Sequence, residues 1–381
     1  MKPKQIFNGS KLRKAREYRG YTIAELATRV DCKRQTMSMY ETGKIKALSD
    51  DNILKISEEL KFPVSYFYEQ DQCFNIGSTY FRALLTTNAR YRKEQIRKME
   101  FLSEIYLFIR NYITFPDYSQ INDIEYSDPE DAALKLRERW KLGKKPIENL
   151  VYTVEDSGII VTTFNTPTDT IDAFSQMVDV DENNIYLIGY SSNKTSVARI
   201  HFDIAHELGH IVLHEWSEDI EALTKEEFRE RENEAHLFAS AFLLPKDSFY
   251  FDIKNRPFSI PVYTELKKKW RVSIAAMARR AYTLDVVSYE QYQNLIITLQ
   301  KRGQRKEEPL DEVLTTTPPS LLKTAVQILL DENVFTPKEF VDELSYSGLS
   351  IYPEEIEFLL DLPKGTLAIN TTPSHNLRLI K

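Results

Sequence analysis

Four of the chain's six histidines, His201, His206, His210 and His214, fall within the fourteen residues HFDIAHELGHIVLH. On a helix, residues four apart project from one face, so His206 and His210 can hold a single tetrahedral ion, with Glu207 directed toward its open side. This is an HExxH pattern, HELGH. Two neutral imidazoles bind Zn²⁺, the ion acidifies a bound water, and the adjacent glutamate takes the proton, so Glu207 reads as a base and not a ligand. The apolar residues Ile204, Leu208, Ile211, Val212 and Leu213 supply a buried face for this helix. His214 lies four residues beyond His210, but by then the helix has turned about 80° from His206, which makes shared coordination awkward. His201 and His375 read as structural or solvent-exposed.

Catalytic zinc ordinarily takes three protein ligands, so a carboxylate from a second helix is needed. The stretch EEFRERENEAHLFASAFLLP is that helix, with Ala235, Phe238, Ala239, Phe242 and Leu243 as its core face and Pro245 as its stop. Glu232, Glu234 and His236 are left near the site. Together, RIHFDIAHELGHIVLH and the pattern ExxAHxFAxxFLLP resemble the ImmA/IrrE metallopeptidase family. The resemblance implies a zincin-like domain in which Glu232, three residues before the alanine and 22 after His210, is the third ligand. Glu234 and His214 are the runners-up. His236 stands where many members carry Asn, and its implied role is to orient a zinc-binding histidine from outside the coordination sphere. Arg199 matches a family position that supports folding. The family further implies limited cleavage of a regulatory protein, a repressor or antitoxin-like partner.

A second chemistry sits at the N-terminus. Residues 1–50 hold twelve Lys or Arg against five Asp or Glu, a balance of +7, which leaves −14 on the remainder of a chain whose net charge is −7. A basic head on an acidic body points to a polyanionic partner for the head alone. Thr22 and Glu25 form a capping box before Ile23, Leu26, Ala27 and Val30, which recur at helical spacing. DCK interrupts, RQTMSMYE resumes as a second short helix, and Gly43 stops it. Two short helices joined by a tight turn make a helix-turn-helix, whose second helix enters the major groove of double-stranded DNA. Roughly residues 9–68 resemble the XRE-type domain of lambdoid phage repressors, through KLRKAREYRGYTIAELATRV, YETG and FPVSYF. That resemblance turns Lys33, Arg34, Gln35, Thr36 and Ser38 toward the groove, where Gln suits adenine and Arg suits guanine. Tyr40 and Lys44 are expected to meet phosphate. Asp31 replaces the usual turn glycine, which its tolerance of left-handed backbone allows. Lys33 replaces a Ser or Thr cap.

The elements that must position these residues divide the chain into five expected segments. They are a helix-turn-helix domain (1–70), a helical spacer or dimer face (71–120), a zincin-like domain (121–302), a linker (303–318) and a C-terminal helical segment (319–381). In the spacer, Ile96, Met99, Leu102, Ile105, Ile109 and Tyr112 recur every three or four residues. In the central domain PEDAALKLRERWKLG reads as a helix, and SGIIVTTF and NNIYLIGY read as strands. WRVS and AMARRA resemble long family members; Trp270, Ile274 and Met277 read as core, and Arg279 and Arg280 as borders of the cleft. The charged KRGQRKEEPLDEVLTTTPPS reads as the linker. After it, Pro337 and Pro353 open two short helices. The fold class is therefore multidomain and mainly α: an all-α helix-turn-helix domain, an α+β zincin-like domain and a small helical C-terminal segment.

The two cysteines, Cys32 and Cys73, belong to separate segments, so no disulfide framework is expected and a reducing compartment suits the chain. No run of eighteen apolar residues occurs, and MKPKQIFNGSKLRKAREYRG lacks the features of a secretory signal, so a cytoplasmic location without membrane contact is expected. The leading function is a DNA-binding regulator, possible as a homodimer, fused to a zinc-dependent endopeptidase. The alternative is a transcription regulator whose zincin-like domain senses a ligand or holds a dimer without cleaving anything. A third reading has DNA binding dominant and metal incidental, as in long family members that regulate metabolic genes.

Overall fold

A computed structural model describes residues 6–71, 75–81, 89–117, 121, 124–165, 172–180, 183–193, 196–216, 223–305 and 307–368; Cys73 and His375 lie outside these. Helices α1 (Gly9–Tyr18), α2 (Ile23–Arg29), α3 (Arg34–Glu41) and α4 (Asp50–Leu60) open the chain, followed by strand β1 (Asn75–Phe81) and the long helix α5 (Ala89–Ile109). The middle runs through α6 (Pro129–Arg139), α7 (Leu150–Glu155), β2 (Ile160–Phe164), β3 (Ala173–Val180), β4 (Asn183–Ser191), α8 (Val197–Leu213) and α9 (Lys225–Leu243). Helices α10 (Lys246–Ile253), α11 (Ile260–Trp270), α12 (Ile274–Thr283) and α13 (Tyr289–Lys301) follow, and α14 (Leu321–Asp331), α15 (Pro337–Tyr346) and α16 (Pro353–Leu359) close the chain. The expected class, mainly α with one small α+β domain, is what the chain adopts.

The chain forms two compact units. One gathers residues 1–72, 100–113 and 322–381; the other holds 73–99 and 114–321. Two stretches expected apart from the N-terminal helices are therefore grouped with them. The second half of α5 is buried on more than one face, because Glu100, Ser103 and Glu104 are buried as well as Phe101, Leu102, Ile105, Phe108 and Ile109. Tyr18 packs its ring against Phe62 and Phe101, and Phe108 packs against Phe335 and Phe340. Tyr112, expected on the apolar stripe, is half exposed. The C-terminal helices are also pinned by charge: Arg19 donates to Glu355 at 2.6 Å and to the Leu60 carbonyl at 2.7 Å. Lys11, buried, donates to Glu69 and to the Gly348 carbonyl, while the Ser350 amide donates to the same Glu69.

The second unit is built on a four-stranded sheet ordered β1-β3-β4-β2. β3 runs antiparallel to both β1 and β4, and β2 is parallel to β4. Two of the four strands, β2 and β4, are expected from the sequence; β1 and β3 are not, since neither NIGSTYF nor AFSQMVDV carries the continuous run of β-branched and aliphatic residues of β2 or β4. One face of the sheet presents Val161, Ala173, Tyr186, Ile188 and Tyr190 to a core shared with Ile200, Ile204, Leu208 and Ile211 of α8 and with Phe238, Ala239 and Phe242 of α9. On the other face Gly189 leaves room for Met99: a Cβ there would lie 2.7 Å from its terminal methyl carbon.

Within the segment expected as a linker, Glu308 and Asp311 fasten the chain to the helices around them. Glu308 accepts from Lys267 at 2.8 Å and from the amides of Ile274 and Ala275 at the start of α12. Asp311 accepts from Lys267 at 2.7 Å and from the Ser196 hydroxyl ahead of α8. Charge and proline mark a solvated connection only when the charges find no buried partner, and here Lys267 is fully buried. Among the described residues no helix is long and apolar enough to cross a membrane.

Candidate functional site

The site is made by the crossing of α8 and α9. Gly209, inside HELGH, sits where a Cβ would come within 3.1 Å of the Ala235 Cα, so its missing side chain lets the two backbones approach. α9 is started by a reciprocal capping box between Thr224 and Glu227. Ala235, Phe238, Ala239 and Phe242 bury one side of α9, and Glu232, three residues before the crossing, comes to rest against the two histidines. His210 Nε2 lies 3.1 Å from His206 Nε2 and 3.3 Å from Glu232 Oε1, and His206 Nε2 lies 3.5 Å from Glu232 Oε2. Ligands about 2.0–2.1 Å from a tetrahedral zinc are separated by about 3.3–3.4 Å along each tetrahedral edge. The three donors, which form a group able to hold a metal ion, already stand at that spacing.

Electrostatics suit a cation. Burial pushes His206 and His214 down to about 3, so both imidazoles are neutral at neutral pH. Burial alone would raise Glu232, but hydrogen bonds and charge interactions with His206 and His210 outweigh it and hold the carboxyl well below its ordinary range. Neutral imidazole and ionised carboxylate are the states that bind metal.

Glu207 is itself buried, and its Oε2 accepts a 2.6 Å hydrogen bond from the Ser175 hydroxyl of β3. Nothing in the sequence marks Ser175, because nothing there marks β3; only its register opposite Ile188, on the sheet face that meets α8, gives it significance. His236 packs its ring 4.5 Å from that of His206, on the same side as Phe202. The runner-up ligands take another place: His214 Nδ1 lies 2.9 Å from His210 Nδ1, and His214 Nε2 lies 3.1 Å from Glu234 Oε2. His201 is not one of the three grouped donors; it is buried and accepts from the Leu150 amide at 3.3 Å. Arg280, expected at the rim of the cleft, is buried: it donates to the Leu244 carbonyl after α9 and pairs with Glu130 of α6. Arg279 lies over the rings of Tyr282 and Tyr292.

At the other site the capping box of Thr22 and Glu25 is formed, and Asp31 takes a left-handed φ of 53° in the turn. α3 begins after Lys33, which makes no side-chain cap. Lys33, Arg34, Gln35 and Lys44 are exposed, and Thr36 and Ser38 half-buried. Tyr40 departs from expectation. It is 5% exposed, packs edge-on against Phe7, and its hydroxyl accepts from Asn52, so it is a core residue and not a phosphate contact. On the eight-residue α3, Met37 and Tyr40 form the inward face, and nothing in the tyrosine's own type marks it as such.

An α+β domain whose crossed helix pair gathers donors that could hold a metal ion, and a separate helix-turn-helix, are what these features define. Comparison with protein families agrees: residues 154–282 match a peptidase family described as the IrrE N-terminal-like domain, and residues 12–67 match a helix-turn-helix family. A search of curated proteins finds no match. The two matches agree with the ImmA/IrrE plus helix-turn-helix architecture that the sequence resembles.

Proposed function

We propose that the chain is a DNA-binding regulator whose second domain is a zinc endopeptidase, with His206, His210 and Glu232 holding Zn²⁺ and a repressor or antitoxin-like protein as substrate. The observation that carries this reading is the convergence of those three donors at tetrahedral spacing, with the glutamate of the same motif tethered by Ser175. A bound zinc ion supplies Lewis acidity, making water acidic near neutral pH and polarising a carbonyl. Glu207 takes the proton as water oxygen adds to the scissile carbonyl carbon, then returns it to the amine nitrogen as the C–N bond breaks. Ser175 fixes the carboxylate for both transfers, and His236 braces the His206 ring.

The N-terminal domain directs this activity to double-stranded DNA. Lys33, Arg34, Gln35, Thr36 and Ser38 face base edges, and Lys44 faces phosphate. Binding as a homodimer would match a two-fold operator.

Two measurements test the peptidase. Protein purified without added metal is expected to hold about one zinc per chain, lost on joint substitution His206→Ala and His210→Ala. In cells, mapping of protein N-termini is expected to reveal a new terminus with the wild type that Glu207→Gln abolishes while keeping its zinc. A terminus that persists in Glu207→Gln would leave the domain without catalysis and favour the sensing or dimerisation reading.

A further inference from the structure

We propose that Glu234 and His214 are positioning residues for the metal ligand His210, joined to it in one directed hydrogen-bond chain that selects its metal-binding tautomer. The inference deepens the zinc reading above and rests on it.

The direction of the chain follows from donor and acceptor chemistry. An ionised carboxylate only accepts, so at the 3.1 Å contact with Glu234 the hydrogen belongs to His214 Nε2. A neutral imidazole carries one N–H, which leaves His214 Nδ1 as an acceptor. At the 2.9 Å contact between the two Nδ1 atoms, His210 must then be the donor. Its own single hydrogen is thereby placed on Nδ1, and its Nε2 lone pair is left facing His206 Nε2 and Glu232 Oε1. Taken alone, the contact between two imidazoles could run either way, and the reverse would protonate His210 Nε2 and block it as a ligand. The carboxylates of Glu234 and Glu232 call for the hydrogen on opposite sides of the His210 ring, and the chain to Glu234 prevails once Zn²⁺ takes the place of a histidine hydrogen in answering Glu232.

Backbone geometry explains why His214 reaches Nδ1 and not the metal. It is the C-cap of α8 and has left the helix, with φ −118° and ψ 145°. Its side chain is 4% exposed, and Glu234 stands at the wet end of the chain with 42%. Outer partners of this type fix the ring orientation and tautomer of a metal-ligating histidine, and their loss typically costs about 10–100-fold in metal affinity. His206 lacks this arrangement and is braced by the His236 ring instead.

The test is Zn²⁺ affinity of the full chain, measured by competition with a chromophoric chelator, alongside tryptophan-monitored melting of the metal-free proteins. His214→Leu is expected to weaken Zn²⁺ binding about 10–100-fold. His214→Gln, whose side-chain oxygen can accept from His210 Nδ1, is expected to restore most of the loss. Glu234→Ala, at the exposed end and safe for folding, is expected to weaken binding in the same direction by up to about tenfold. Metal-free melting should be unchanged in Glu234→Ala. Equal affinity of wild type, His214→Leu and Glu234→Ala would overturn the chain while leaving the zinc site standing. Equal losses in the Leu and Gln variants would overturn the acceptor role of His214 and leave only packing. A wild type that binds no Zn²⁺ would overturn the zinc reading itself, and this inference with it.

Discussion

Substituting Glu308 by Ala separates a strap from a linker. Glu308 sits in 303–318, yet its carboxylate meets a fully buried Lys267 at 2.8 Å and the amides of Ile274 and Ala275 at 2.7 and 3.0 Å. Loss of a charge-assisted bond costs about 1.5–3 kcal/mol, and removing the acceptor for the first amides of α12 adds about 0.5–2 kcal/mol. Lys267 keeps Asp311 at 2.7 Å, which limits the damage. The expected loss is about 3–4 kcal/mol, within the range for breaking a buried pair from one side. Urea unfolding followed by tryptophan fluorescence reads this unit alone, because Trp140, Trp216 and Trp270 are the chain's three tryptophans and all lie within 114–321. A loss below about 0.5 kcal/mol, the usual result for a surface change, would refute the strap.

Gly209→Val should push α9 off α8, since even a Cβ meets the Ala235 backbone at 3.1 Å. Overpacking of about 1–3 kcal/mol and a displaced Glu232 are expected, read as lower stability together with weaker Zn²⁺ binding; unchanged affinity would mean the crossing does not set the site. Burial, reinforced by the charge of Arg271, holds His201 down to about 3, against about 6.5 in the unfolded chain. The unfolded chain therefore binds more protons between those values, so His201 contributes stability that is full above pH 6.5 and lost as pH falls toward 3. Between pH 7 and 5 that loss is about 2 kcal/mol, and a His201→Leu protein with the same pH slope as wild type would contradict it. At the DNA site, Lys44→Ala should weaken binding to the protein's own promoter for all sequences and reduce the salt slope by about 1. Gln35→Ala should instead relax preference at single base positions by about 1–3 kcal/mol, as measured by binding to substituted operators.

Much of this protein is written in short-range patterns. The Thr22 and Glu25 capping box, the bounds of α3, the left-handed Asp31 and the HELGH spacing each depend on residues within one or two helical turns. Neighbours in sequence enforce such features whatever the rest of the chain does. The choice among Glu232, Glu234 and His214 was different. Spacing put all three near the histidines, family resemblance favoured Glu232, and the geometry that separates them is the closeness of two helices at Gly209 and the point at which α8 unwinds.

Tertiary structure alone placed Ser175 on Glu207, turned Tyr40 inward, gave Lys267 its partners in a segment that looks solvated, and divided α5 between two units. In each case the deciding neighbour lies between 12 and 41 residues away, or the face is set by other elements. A side chain's type states what it can bond to. Which partner it meets depends on how distant elements pack, because a buried charge or hydroxyl gains stability only when the fold brings its counterpart within hydrogen-bond range.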